Sequence, residues 1–388
     1  MGIHVAIIFY NVGGYHSARL GAASNELVKV GGKLTAIEEL GGSAEHPWAF
    51  DKSELPFQLR TLFQSEIELK KYGVKRKLEG MLNSLDPDVI VIPGWGNRVA
   101  KTALSWAKSK KKRTVVMSES KEDDARRTIL KELYKSQFYI RKYDSGLVGG
   151  RAHRDYLHRL GMSRDRIFLG YDAVDNSYFR KAAAFARSNE TLVRENIGSI
   201  PDRHYFLSVT RFIPRKNILR LLDAYSQYSR EVGTSSAWPL VLCGSGIEES
   251  KIMQRISELR LGELVHLPGF VTYSDMPSWY AFAGAFVHPA IQEQWGLVLN
   301  EASASGLPIL SSETVGSAHE LVVDGLNGST FPPENTNAIV SVLLEIHRLP
   351  GDKLSQMGKE SESIVAKWGP ERFASGLMQA ITKASGEV

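Results

Sequence analysis

Glu293 and Glu301 stand eight positions apart, in the stretch of this chain whose residue types most readily do chemistry. The apolar run Ala285-Phe-Val-His288 meets Pro289, which ends a strand, and a helix is predicted from Gly296 or Leu297. The first N–H groups of a helix have no partner inside it, so Gly296, Leu297 and Val298 offer free donors suited to a phosphate. One carboxylate just before the helix and one inside it would suit hydroxyl-rich groups on either side of a diphosphate. The same spacing also fits a capped core helix with two surface acids, and spacing alone does not choose.

Other motifs carry less. Gly94-x-Gly96 follows a strand, but the third place of a dinucleotide fingerprint falls on Val99, which is not small. Asp86-x-Asp88 has the spacing of a metal-binding pair, yet it precedes its strand, which reads as a turn. His153 and His158 lack a third ligand nearby, and there is no phosphate-binding P-loop or nucleophile-elbow serine.

The elements that must position these groups are strand-length apolar runs between amphipathic segments. Ile3–Phe9, Val89–Pro93, Arg113–Met117, Leu147–Gly150 and Arg166–Leu169 form a first series. From about 182 to 203 the pattern lapses into a polar stretch with Gly198 and Pro201. A second series then runs through His204–Val209, Pro239–Leu242, Val265–Leu267, Ala285–Val287 and Pro308–Leu310, with helices over Asn217–Ser229 and Glu248–Arg260. Unbroken apolar strands alternating with helices imply parallel sheets covered on both faces. The expected fold is α/β, as two doubly wound domains with ligands beyond the carboxyl ends of the strands and in the cleft between domains. The predicted divisions are 1–190, 191–368 and a last helix, 369–388, returning to the first domain.

Composition bounds the rest. The chain has 388 residues, 43% hydrophobic and 23% charged, which is ordinary for a globular protein. No apolar run approaches the ~18 residues of a membrane span. There is neither a basic region before the first apolar stretch, as a secretory signal would require, nor a myristoylation pattern, since residue 6 is Ala. With Cys243 alone, no intrachain disulfide or cysteine zinc site forms. A reduced, cytoplasmic protein is expected. The net charge of +5 is locally concentrated at Lys108–Arg113 and at Lys70, Lys71, Lys75, Arg76 and Lys77. Such clusters fit either a solvated helix face or an anionic surface, and no nucleic-acid motif accompanies them.

The stretch from Phe286 to Pro308 resembles the retaining glycosyltransferases of family 4, which have the GT-B fold. Their pair of glutamates separated by seven residues matches Glu293 and Glu301, followed by Ala302-Ser-Ala304 and Gly306-Leu-Pro308. Asp324-Gly325 and Asn327-Gly328 match the family's next turn, and Gln294 replaces a small residue. Ser208-Val-Thr-Arg211-Phe-Ile-Pro-Arg-Lys216-Asn217 resembles the family's basic loop, with Asn217 in place of glycine. Leu242-Cys-Gly244-Ser-Gly246 and Gly269-Phe270-Val271 are similar to its later turns. Asn11-Val-Gly13-Gly14 stands at its glycine-rich loop, and Gly170–Phe179 resembles the segment that ends its N-terminal domain. Where members often carry a histidine, this chain has Ser118-Glu119.

The resemblance implies a metal-independent hexosyltransferase using a UDP- or GDP-type nucleotide sugar and no other cofactor. Arg211 and Lys216 would hold the diphosphate and Glu293 the donor sugar. Glu301 would meet the ribose, while Gly13, Gly14, Gly244, Phe270, Val271, Gly296, Leu297 and Val298 complete the donor site. The acceptor would be a glycan, a lipid-linked saccharide or a small molecule, in cell-surface polysaccharide, lipopolysaccharide or glycolipid synthesis, with peripheral contact at the inner membrane face. A GT-B nucleotide-sugar epimerase and a non-catalytic basic binding protein are the alternatives.

Overall fold

The computed structural model describes residues 2–41, 52, 55–124 and 127–386. The side chains of Lys71 and Tyr72 lie outside the described residues. The chain divides into two units, 1–175 with 368–388, and 176–367.

The first unit is a seven-stranded sheet: β1 (His4–Phe9), β2 (Lys33–Leu40), β3 (Gln58–Phe63), β4 (Val89–Pro93), β5 (Arg113–Ser118), β6 (Ser145–Val148) and β7 (Ile167–Leu169). All pairings are parallel, in the order β3-β2-β1-β4-β5-β6-β7. Side chains alternate between two buried faces, which is why these strands read as continuous apolar runs. Val5, Ile7, Val89 and Val91 enter one core with the helix Gly14–Lys29 and the final helix, Pro370–Ser385. Ala6, Ile8, Ile90 and Ile92 enter the other with the helices Val74–Leu85 and Arg98–Ser109.

β2 and β3 were not legible as strands. The buried carboxylate of Glu38, mid-strand in β2, accepts from the Val12 N–H at 3.0 Å, the Thr61 hydroxyl at 2.8 Å and the Lys52 ammonium at 2.7 Å. An acid inside an apolar run breaks the strand pattern, and only partners distant in sequence make it tolerable there.

The second unit holds β8 (Phe206–Val209), β9 (Leu240–Cys243), β10 (Val265–Gly269), β11 (Ala285–His288), β12 (Ile309–Ser312) and β13 (Gly328–Phe331), all parallel, in the order β10-β9-β8-β11-β12-β13. The division falls at 175/176 and not at 190/191. The helix Asn176–Ser188 buries Phe179, Ala183 and Ala186, with Ala183 and Ala186 packed with Ala281 and Phe179 edge-on to Tyr280. The following helix, Glu190–Ile197, buries nothing, so the stretch reads as polar although it is helical.

The two basic clusters are partly neutralised. Lys108 pairs with Asp144 and Lys112 with Asp86. Lys77 pairs with Glu68 and lies over the Phe63 ring. Asp86 is the left-handed cap of the helix Val74–Leu85, and an Asp88 oxygen accepts the His4 N–H at 2.8 Å, so Asp86-x-Asp88 is a turn.

The final helix lies directly on the sheet of the first unit. Phe373, Leu377 and Ile381 are buried, each such burial contributing about 1.5–3 kcal/mol. Ser145 Oγ donates to the Ala380 carbonyl at 2.7 Å. A Cβ at Gly376 would stand 2.2 Å from the Leu169 carbonyl oxygen. Gly376→Val is therefore expected to destabilise the protein by about 1–3 kcal/mol, as overpacking does. Urea denaturation of the variant checks this, and an unchanged midpoint would show that the helix is not pressed against β7.

Candidate active site

In the second unit the chain order reverses between β8 and β11. Loops leaving two neighbouring strands in opposite senses open a crevice at their carboxyl ends. Arg211–Asn217 follows β8 and Pro289–Gly296 follows β11, so the two motifs found in sequence meet here.

Three consecutive residues of the first loop hold the second. The Arg215 carbonyl accepts the Ile291 N–H at 2.9 Å. The Lys216 ammonium pairs with Glu293. The Asn217 amide donates to the carbonyls of Pro289 at 3.0 Å and Pro333 at 2.8 Å. Asn217 has φ +62°, in the left-handed region that glycine favours and asparagine tolerates best among the other residues. Asparagine thus supplies the turn and, unlike glycine, two bonds that pin the neighbouring loops.

Lys216 is 8% exposed. Burial pushes its ammonium down to about 7, and the positive charges of Arg215 and Arg211 add to that. The adjoining Glu293 carboxylate acts in the opposite sense. His288, at the end of β11, has Nε2 at 3.3 Å from a Glu293 oxygen. Burial, followed by the Lys216 charge, holds His288 well below its ordinary value, so it is a neutral donor. Sequence reasoning passed over His288. Its place at the end of the strand, five residues before Glu293, was the available signal.

The helix Leu297–Ala304 begins beside this pair. Gly296 takes φ +92°, and a Cβ there would meet the Glu293 Cγ at 3.2 Å. Among the described residues the N–H groups of Gly296, Leu297 and Val298 have no acceptor. The Arg211 carbonyl accepts the Ile213 N–H, while its exposed guanidinium forms no hydrogen bond or ion pair among the described residues. Lys216, Glu293 and the helix N-terminus are thus brought together, with Arg211 near enough for its charge to act on Lys216.

Glu301 lies deeper, at 1% exposure, and accepts from the Tyr280 hydroxyl at 2.7 Å. Gly244, φ +144°, is packed so closely that a Cβ would stand 1.8 Å from the Thr210 carbonyl oxygen, and its N–H donates to the Gly269 carbonyl. It sets how near the β9 loop approaches the basic loop. Phe270, 53% exposed, and Val271 follow β10 at the same end of the sheet.

Gly13 and Gly14 belong to the first unit. There the switch point lies between β1 and β4, and it carries a cavity of about 290 Å³ lined by Phe9, Tyr10, Asn11, Gly13, Tyr15, His16, Pro93 and Tyr171. The Gly13 N–H donates to His16 Nδ1 at 3.2 Å, and Gly14 opens the helix. His153 caps its helix in the same way, accepting from Gly150 at 3.1 Å. Burial raises the carboxyls of Glu119 and Asp172, and the charge of Glu119 raises Asp172 further. The buried Arg19 guanidinium donates to the Tyr171 carbonyl at 2.7 Å.

A family model described as "Glycosyl transferases group 1" matches residues 189–363. This segment contains every residue of the second-unit site. Residues 189–363 are thus similar in sequence to the group 1 glycosyl transferases. The O-antigen chain mannosyltransferase B of Escherichia coli is 34% identical over 142 residues, 36% of each chain. The D-inositol 3-phosphate glycosyltransferase 2 of Catenulispora acidiphila is 27% identical over 195 residues, 48% of this chain and 44% of that one. The matches thus span less than half the length of these curated relatives. Among solved structures, a glycosyltransferase from Rickettsia africae ESF-5 superposes with a TM-score of 0.76 at 12% identity over the whole of both chains. Anabaena Alr3699/HepE, solved with UDP and glucose, gives 0.74 at 14% identity over 98% of this chain and 99% of that one. The fold is GT-B.

Asn217 is the most direct test of the group 1 loop geometry. Asn217→Ala places an alanine at a left-handed backbone, at about 1–2 kcal/mol, takes the amide donor from the Pro289 carbonyl and leaves the Pro333 carbonyl with Arg220 at 3.3 Å. Asn217→Gly keeps the backbone free and loses only the bonds. Thermal or urea unfolding is expected to rank wild type above Asn217→Gly above Asn217→Ala. Equal stability of the two variants would remove the backbone argument.

Proposed function

We propose that the protein transfers a hexosyl group from a nucleotide-diphosphate sugar to an acceptor hydroxyl with retention of configuration. One observation carries this reading. Within the group 1 segment, a buried ammonium and a carboxylate are in contact beside three unpaired N–H groups at a helix N-terminus, with Arg211 close by. Such a site binds a diphosphate with its positive groups and a polyol with its carboxylate.

In this reaction the bond between the anomeric carbon and the diphosphate oxygen breaks, and the acceptor oxygen bonds to that carbon on the same face. The acceptor proton passes to the departing phosphate oxygen, so products are the glycoside and the nucleoside diphosphate. Positive charge at the leaving group is the main demand, because negative charge develops there. Arg211, Lys216 and the amides of Gly296, Leu297 and Val298 would supply it. Glu293 would hold sugar hydroxyls, with His288 and Lys216 fixing its carboxylate. Glu301 would meet the ribose, and Gly244, Phe270 and Val271 would border the nucleoside. In the first unit, Gly13, Gly14 and the aromatic cavity would bear on the sugar and the acceptor.

The printed activities of the curated relatives, an O-antigen mannosyltransferase among them, support a saccharide acceptor. We assign the acceptor to the building of a cell-surface glycan or glycolipid at the cytoplasmic side of a membrane. The donor carries UDP or GDP, and the Anabaena structure with UDP supports a nucleotide of that kind.

Arg211→Ala and Lys216→Ala are each expected to lower kcat/KM by about 10²–10³-fold in a nucleotide-sugar transfer assay. Near-normal turnover by either folded variant would sink the diphosphate assignment. With its value near 7, Lys216 loses its proton as the pH rises through neutrality. Donor affinity should therefore fall above about pH 7, and Lys216→Arg, which stays charged, should flatten that profile. A fall present unchanged in the arginine variant would assign the titration to another group. Transfer should also persist in EDTA, since protein cations and helix amides supply the positive charge. Loss in chelator restored by Mg²⁺ or Mn²⁺ would overturn that.

A further inference from the structure

The helix Ile129–Phe138 lies between β5 and β6 in the first unit and presents an unusual outer face. Ile129 and Leu130 are each 81% exposed, and Leu133, Tyr134 and Phe138 are each just over half exposed. At about 100° per residue these five fall within one half of the helix circumference. An apolar stripe of this kind costs free energy in water unless something covers it.

Cations border the stripe. Lys131 is exposed beside Leu130 and has no partner among the described residues. The Lys101 ammonium lies 5.6 Å from the Tyr139 ring, and Tyr139 is edge-on to Tyr134. Exposed Arg141 and Lys142 follow in the next turn, and the charge of Lys142 reaches Tyr134. The described part of this helix has one acid, Glu132, and it is committed inward, to Lys135 at 2.8 Å and to the Tyr156 hydroxyl at 2.7 Å. Apolar side chains with aromatic hydroxyls at their margin and lysines at their edge match the layers of an anionic bilayer surface. A protein partner's apolar groove would have no need of the cationic border.

We propose that the helix Ile129–Phe138, with Lys101, Lys131 and Lys142, docks the protein on an anionic lipid surface. The contact is assigned to this helix and not to Lys108–Arg113, where Lys108 and Lys112 are already paired with acids. Lys101, in the first turn of the helix that follows the carboxyl end of β4, lies over Tyr139 at the end of the Ile129–Phe138 helix, which places that helix at the edge of the sheet that carries the aromatic cavity. Docking there would bring that edge toward the membrane. The inference extends the surface-glycan reading above, but it is measured without donor or acceptor, so its failure would leave sugar transfer untouched.

The test is sedimentation of the full chain with vesicles of phosphatidylcholine alone or mixed with phosphatidylglycerol. Wild type is expected to bind only the mixed vesicles, and less as salt rises. Leu130→Glu with Leu133→Glu should weaken binding by at least roughly tenfold, the equivalent of losing one well-buried leucine contact. Both sites are exposed, so donor hydrolysis should be unchanged. Replacing Lys101, Lys131 and Lys142 with Gln should flatten the salt dependence. In Tyr134→Trp, emission should shift to the blue with mixed vesicles. No binding to mixed vesicles would overturn the proposal, as would equal binding by wild type and the glutamate variant. So would light scattering showing a wild-type dimer that the glutamate variant splits, since a second copy would then cover the helix.

Discussion

The grip of Arg215, Lys216 and Asn217 on the loop after β11 is the constraint on which the site depends. A carbonyl, an ammonium and an amide from three successive residues each take a different partner. Two long loops would otherwise sample many conformations, and ordering each residue costs about 1–2 kcal/mol. Fixing them through one tripeptide couples the position of the cation to that of the carboxylate. Such pre-arrangement is what electrostatic catalysis needs, because groups already in place do not have to reorganise during the reaction.

Burial gives that pair its chemical character. Removing an ammonium from water is expensive, and the cost appears as the depressed value of Lys216. Glu293 offsets part of it, and neutral His288 holds Glu293 without adding a charge. On the proposed reading, a site balanced in this way would favour an incoming dianion, since the ligand would relieve the desolvation of the cation.

Both units use the same device. Each sheet reverses its strand order beside the first of its strands in the chain, β1 in one and β8 in the other, and each puts its candidate residues at that reversal. In the first unit the crevice is aromatic and uncharged along most of its lining, and in the second it is ionic. One is suited to the faces of a sugar ring and the other to a phosphate.

The central apolar strands, the α/β class and the motifs Arg211–Asn217 and Glu293–Glu301 were legible in the chain itself. Continuous apolar runs have few alternatives to a covered parallel strand, and glycines, prolines and charges at element ends mark where loops must lie. What was not legible depends on partners far away in sequence. β2 carries Glu38 because Val12, Thr61 and Lys52 satisfy it. The polar stretch after residue 182 begins as a helix because Ala281 covers the side that carries Ala183 and Ala186. Asn217 reads as a departure from glycine until its two carbonyl partners are seen. Sequence determines which groups are available and the local geometry of their loops. Only tertiary structure decides which of them leave water together, and that shared desolvation sets the charge state of Lys216 and the depth of Glu301.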